Sequence, residues 1–230
     1  MASLHLSGGV FFMSEQNKKI IKGLHRKDLT NIKFASALLD MAIEEKNDDL
    51  DFALQQAKEV QKIAAKESRK KNSIEFANLY WKATLMLAPY FFEDFLYYME
   101  KDRKPQKRFY MPRRRTLKVV VDDLQDLEDG KLDFYGLSMP PRVGKSTICI
   151  FFMAWVMGKR PNSHNAMSGH SGILADGFYS EALNLMELDV PEEKRQYHFA
   201  DIFPQTFLQK KSAEKKEVTL NDPDRFATLT

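Results

Sequence analysis

Cysteine is nearly absent: among 230 residues only Cys149 carries a thiol. A single thiol excludes a disulfide framework and suits a reducing compartment. Long apolar runs are missing as well. The longest, ICIFFMAWVM from Ile148 to Met157, is about half of the ~20 residues that cross a bilayer, so it reads as a buried helix and no membrane role is expected. Neither sign of charge dominates, with 35 Lys and Arg against 32 Asp and Glu; only local clusters can point to a partner. There is no internal repeat and no low-complexity tract. What is plentiful is core material. A chain 43% hydrophobic and 29% charged is a soluble globular composition, long enough for one large domain or two small ones.

The opening stretch, MASLHLSGGVFFMSEQNKK, lacks the basic start and the apolar length of a signal peptide. Polar, helix-friendly sequence begins after Met13, so Met13 is expected to be the natural start and residues 1–12 an upstream-start extension. From there to about residue 100 the periodicity is helical. A helix opening at Asp28 or Thr30 sets Ile32, Ala35, Leu38, Leu39 and Ala42 on one face. Another sets Leu50, Ala53, Leu54, Ala57, Val60 and Ala64 on one face, with acids first and bases last as the helix dipole favours. Pro89 should interrupt the apolar stretch after it, and the Tyr and Phe residues at 90–98 read as core or as an apolar patch. Residues 13–100 are thus a helical region.

Residues 101–116, beginning KDRKPQKRFYMPRRR, are the most basic segment and read as a linker because of Pro105, Pro112 and the lack of periodicity. Such a cluster can bind phosphates of DNA through counterion release, or be a solvated connector. Beyond it, LKVVVDDLQDL imitates a metal-binding strand that ends in Asp122 and Asp123. Yet Leu117, Val120, Val121, Leu124 and Leu127 fall at helical spacing, so an amphipathic helix is expected. LDFYGLSM then reads as a buried strand and SHNAMS as a weak one, giving the order of an α/β domain over residues 117–230. The residues around Asn221-Asp222-Pro223-Asp224 read as a hairpin.

Between strand and helix stands MPPRVGKST, Met139 to Thr147. A bare Gly-Lys-Ser arises by chance in roughly one chain in ten of this length, so context decides. A strand, a tight loop and a buried helix are the context that a phosphate-binding loop requires. Its backbone amides and the helix N-terminus can cradle phosphates. Gly144 lets the backbone come close, Lys145 reaches the β/γ-phosphates, Ser146 sits on Mg²⁺, and Thr147 caps or touches the α-phosphate. The position that usually holds a first glycine is Met139; Pro140 and Pro141 substitute rigidity for that freedom.

PPRVGKST, followed by FMAWVMGKRP, SGHSGILADGFYSEALNLM and FADIFPQ, resembles the variant Walker A loop and following segments of bacteriophage terminase large subunits, the ATPases that package viral DNA. The resemblance covers roughly residues 110–230. It implies a P-loop NTPase three-layer α/β core, here incomplete before the Walker B strand and preceded by an all-α region. It implies ATP and Mg²⁺ as cofactors, held by Pro141, Arg142, Val143, Gly144, Lys145, Ser146 and Thr147, with Arg142 and Lys145 catalytic and Ser146 on the metal. Arg142 would stabilise charge at the γ-phosphate, or else be a solvated loop cation. Tyr110, Arg113 and Arg115 would approach the adenine and ribose. Double-stranded DNA, a portal protein, a small subunit and a homo-oligomeric ring are the implied partners, and the host cytoplasm during phage assembly is the implied place of work.

No apolar run ending in Asp-Asp or Asp-Glu follows the loop. The chain is therefore expected to be the front part of such a protein, binding ATP but hydrolysing it poorly, without a nuclease. Ser171 is expected to cap a helix near Ser168 and His170, and Cys149, Leu174, Phe178, Leu185 and Met186 to be core. The alternative is a non-catalytic helical module that binds DNA or protein and keeps a relic of the loop.

Overall fold

A computed structural model describes residues 28–212, 214–215, 217–221 and 228–229. The expected extension at 1–12, Met13 and most of the expected turn at 221–224 lie outside the described residues. The chain divides into two compact units, one ending at Leu87 and the other running from Ala88.

In the first unit a 3₁₀ turn, Asp28–Thr30, leads into α1 (Ile32–Glu45), α2 (Leu50–Lys71) and α3 (Ile74–Leu87). Local chemistry sets the helix ends. The Asn31 side chain accepts the amide of Lys33, and Asp49 accepts that of Phe52, satisfying donors that a first turn leaves open. Asn72 closes α2 in the left-handed conformation, which a short amide side chain tolerates. The small residues Ala35, Ala42, Ala53, Ala57, Ala64 and Ala83 are wholly buried, so the three helices can approach closely. Gln61 reaches Thr84 Oγ1 at 3.0 Å and pins α2 to α3.

The second unit begins with α4 (Phe92–Met99), α5 (Tyr110–Glu128) and α6 (Lys145–Lys159). Pro89 lies in the break between α3 and α4, where an interior N–H is not needed. The core here is aromatic. Phe92 and Phe95 of α4 meet Phe151 and Trp155 of α6, with ring centroids 5.3–6.5 Å apart. The Trp155 indole donates to the Ala88 carbonyl at 2.9 Å, so its one polar atom is satisfied in the interior. Leu117, Val120, Val121 and Leu124 face inward from α5, as their spacing predicts. After α6 come α7 (Gly172–Met186), the short α8 (Phe199–Ile202), β1 (Leu208–Ser212) and β2 (Glu217–Leu220).

The expected three-layer α/β core is not what these residues build. The one sheet among the described residues is a two-stranded antiparallel pair, β1 with β2, in which Lys210 faces Thr219 and Lys211 faces Val218. Leu229 adds single bridges, antiparallel to Val218 and parallel to Asn165. The second bridge is all that forms of the expected strand SHNAMS. LDFYGLSM forms no regular element and belongs to no sheet, and Phe134 is 83% exposed. A strand is stable only with a neighbour to complete its hydrogen bonds, and no described segment pairs its backbone with this one. Helix packing therefore makes the core.

The expected linker is also partly helical, since α5 starts at Tyr110. Pro112 falls in the first helical turn, where its missing N–H removes no intrahelical bond. Pro105 begins a 3₁₀ turn over Pro105–Lys107. Cys149 is exposed rather than core: α6 is apolar almost all round, and the thiol falls on its outer side.

Candidate functional site

The loop expected to hold phosphates lies at the start of α6. Gly144 is the N-cap of that helix, with φ 101° and ψ 22°. It has no side chain to cap the first amides, so these are left for a ligand or solvent. Arg142, two residues earlier, has φ 66°. Positive φ at Arg142 and Gly144, on either side of Val143, curls the chain sharply ahead of α6. Lys145 closes this curl: its ammonium donates to the carbonyl of Met139 at 2.6 Å, spanning the loop from its last residue to its first. Pro140 and Pro141 occupy the intervening turn and are exposed.

Phe109, Arg113, Arg142, Gly144, Lys145, Ser146 and Thr147 line an open cleft of about 310 Å³. Three of the seven are cationic and none is acidic. Arg113 donates to the Phe109 carbonyl at 3.0 Å, and its guanidinium lies 5.3 Å from the centre of the Phe109 ring. The same ring stacks on Phe151, 5.5 Å away and 10° from parallel. A Cβ on Gly144 would sit 2.6 Å from the Phe109 ring. The glycine is thus required twice, by its backbone angle and by the aromatic ring edge beside it.

The structure brings Arg113, Arg142, Gly144, Lys145, Ser146 and Thr147 together and leaves Pro141, Val143, Tyr110 and Arg115 off the cleft lining. Arg115 is exposed on α5. Tyr110 is fully buried and donates to Glu93 Oε1 at 2.7 Å. Burial, and then Glu93, push its phenol well above the usual tyrosine range. Phe109, its neighbour, takes the place at the cleft. Sequence reasoning passed over it, although an aromatic among the basic residues of KRFYMPRRR is a pattern that suits a charged ligand with a flat face.

Neighbouring charges are already engaged. Glu93 accepts from Arg114 at 2.9 Å and lies 3.6 Å from Lys118. Asp122 pairs with Lys118, and Asp123 takes a hydrogen bond from Tyr135. Burial, with help from Asp123, pushes the Tyr135 phenol up to about 12. The two aspartates of the imitated strand therefore stand on helix α5, as their spacing predicts. A second cleft, about 430 Å³, shares Ser146 and Thr147 with the first and adds Ile150, His170, Ser171, Ile173, Leu174, Gly177, Phe178 and Glu181. Ser171 caps α7 by accepting the Leu174 amide. Leu185 and Met186 are buried, whereas Leu174 and Phe178 face this cleft half-buried.

The donor set fits a polyphosphate. It combines amides at a helix start, one ammonium and two guanidinium groups around a space free of carboxylates among its lining residues. A divalent cation would rest on the Ser146 hydroxyl and on oxygens of the ligand itself. Among the described residues no three His, Cys, Asp or Glu side chains converge on one point, and no helix is long and apolar enough to cross a membrane. Compared with protein-family models, curated proteins and solved structures, the chain matches none.

Proposed function

We propose that this chain is the N-terminal, nucleotide-binding portion of a bacteriophage terminase large subunit, binding ATP with Mg²⁺ to drive double-stranded viral DNA into procapsids. The observation that carries the nucleotide half of this reading is the closed loop: Gly144 at the start of α6, Lys145 tied back to Met139, and two arginines around the same concavity. The sequence run from PPRVGKST to FADIFPQ supports the terminase half.

In this reading Lys145 leaves the Met139 carbonyl, or shares its protons with it, and contacts the β/γ-phosphates. Ser146 ligates Mg²⁺, Thr147 borders the α-phosphate, and Arg142, exposed and in the loop, stabilises charge at the γ-phosphate. The chain alone binds ATP and turns it over slowly, because no carboxylate among the cleft's lining residues can orient a water. Portal protein, small subunit and a ring of like subunits are the partners, and the infected cell's cytoplasm is the setting.

The test is mant-ATP binding with Mg²⁺ by the full chain. Losing the Lys145 ammonium removes a charge-assisted contact of roughly 2–3 kcal/mol, which is ~30–150-fold in affinity. Wild-type protein that is folded yet gives no signal at millimolar nucleotide, or a Lys145→Ala variant that binds within twofold of wild type, would refute the reading.

A second reading is favoured by the helical architecture: a DNA- or protein-binding helical module in which the loop is a relic. Exposed Lys104, Lys107 and Arg115 would then meet DNA phosphates. Salt-dependent DNA binding unchanged by Lys145→Ala, with no nucleotide binding, is its signature.

A further inference from the structure

The ring of Phe109 forms the floor of the phosphate loop, and its depth is decided by where its backbone is held. That backbone is the N-cap of α5, and no side chain of its own turn caps it. The acceptor comes from nine residues upstream. Glu100, only 2% exposed, accepts the Phe109 amide on Oε1 at 2.7 Å and the Tyr110 amide on Oε2 at 3.0 Å. Both carboxylate oxygens are thereby spent on two successive amides, which fixes a direction as well as a position. The segment between is tied to the same frame: Arg108 donates to the carbonyls of Arg103 and Lys101 at 2.8 and 2.7 Å, and Arg103 lies 3.7 Å from Glu100 Oε1.

From this geometry we infer that Glu100 is a positioning residue for the phosphate loop, acting through Phe109 to hold Gly144 and the amides after it in their anion-binding curl. The inference takes its ligand from the nucleotide reading above. A plain helix cap would stabilise α5 and nothing else. Glu100 does more because the ring it holds is fixed by Phe151 against one face and abuts Gly144 along its Cε2–Cζ edge. If the backbone of Phe109 shifts by an ångström, the ring either leaves Gly144 unsupported or drives into it. Burial raises the Glu100 carboxyl above its ordinary range, against the opposing pull of the two amides, Arg103 and Arg108, as expected for a group kept inside for the bonds it makes.

Hydrogen exchange of the full chain without nucleotide reads the effect directly, and Mg·mant-ATP affinity reads its consequence. Glu100→Ala should speed exchange of the first bonded amides of α6, beginning with Ile148, which donates to the Gly144 carbonyl at 3.0 Å, by about fivefold or more and weaken mant-ATP about tenfold. Glu100→Gln, nearly the same shape but offering one oxygen for two amides, should fall between. In a Phe109→Ala background, adding Glu100→Ala should change either readout by less than about twofold, because the path is already cut. Should Glu100→Ala not fold by circular dichroism, Glu100→Gln decides by the same readouts. Faster exchange confined to residues 109–110, with Ile148 and the amides after it unchanged in a folded variant, overturns the inference; so do effects of the two substitutions that simply multiply. Wild-type protein with a protected Ile148 amide and no mant-ATP binding counts against the nucleotide reading alone, while exchange still decides the role of Glu100.

Discussion

Replacing Gly144 by alanine tests whether the loop rests on an aromatic floor. Two costs are separable. The backbone at φ 101° strains any residue with a Cβ, by about 1–3 kcal/mol. The added methyl would also lie 2.6 and 3.0 Å from two carbons of the Phe109 ring, closer than any carbon pair tolerates. The ring cannot retreat freely, since it is stacked on Phe151 and its amide is bonded to Glu100. Displacing it forfeits an aromatic pair of about 0.5–1.5 kcal/mol, so Gly144→Ala should cost about 2–4 kcal/mol in total. In a Phe109→Ala background only the backbone part remains. Urea unfolding of the four proteins, followed by circular dichroism with a common m-value, should give a coupling of about 1 kcal/mol. A coupling indistinguishable from zero means that Phe109 does not support the loop, and the site described above has the wrong floor.

Trp155→Phe should destabilise the protein by roughly 2–3 kcal/mol in the same assay, because it leaves the Ala88 carbonyl unpaired in the interior and opens space beside Phe92; a loss under ~0.5 kcal/mol would contradict that packing. Tyr135 ionises only near 12, so the fold keeps its phenolic proton and loses the associated stability as pH rises from about 10 through about 12. In Asp123→Asn its phenolate absorbance at 295 nm should appear at lower pH without returning to the free value, since burial is the larger cause; an unchanged titration would show that the Asp123 bond is absent. Glu100, raised by burial with Arg103 and Arg108 facing it, takes up a proton on folding, so its contribution favours the fold at low pH and is lost as pH rises through the raised value. Urea midpoints across that interval should slope down in wild type more than in Glu100→Gln, and equal slopes would show that Glu100 titrates normally.

The helices were legible because burial writes a period into the sequence. Ala35, Leu38, Leu39 and Ala42 recur at three and four residues, and all are buried in α1. Pro89 marked the break after α3, and the valines before Asp122 were recognisable as helix by spacing. The loop was legible as a motif; Arg142, Gly144, Lys145, Ser146 and Thr147 line one cleft, and Pro141 and Val143 do not. What could not be read were relations between segments. LDFYGLSM has the composition of a buried strand, but composition cannot say whether another strand lies beside it. Phe109 and Tyr110 are adjacent and chemically alike; one faces the cleft and the other is buried against Glu93. Which does which follows from a carboxylate nine residues earlier, and no local pattern reports that distance. Arg142 adopts a positive φ that its residue type gives no reason to expect.

Among the described residues the expected sheet does not form, which leaves the question of what stiffens the loop. A phosphate cradle needs amides that point inward before the ligand arrives, since ordering them afterwards costs roughly 1–2 kcal/mol per residue. A parallel sheet would meet that need by fixing the chain that enters the loop. Here the entering chain is unpaired, and fixation comes from the other side. Lys145 ties the end of the loop to its beginning. The floor under Gly144 is Phe109, which stacks on Phe151; Phe151 meets Phe95, and Phe95 meets Phe92 beside the buried Trp155. Close-packed aromatic rings transmit displacement with little give, so this row of side chains can do for the loop what backbone pairing would have done. The same arrangement explains why the floor residue is held by a buried carboxylate: in a helical scaffold there is no neighbouring strand to set its depth, and Glu100 supplies the missing constraint from within the interior.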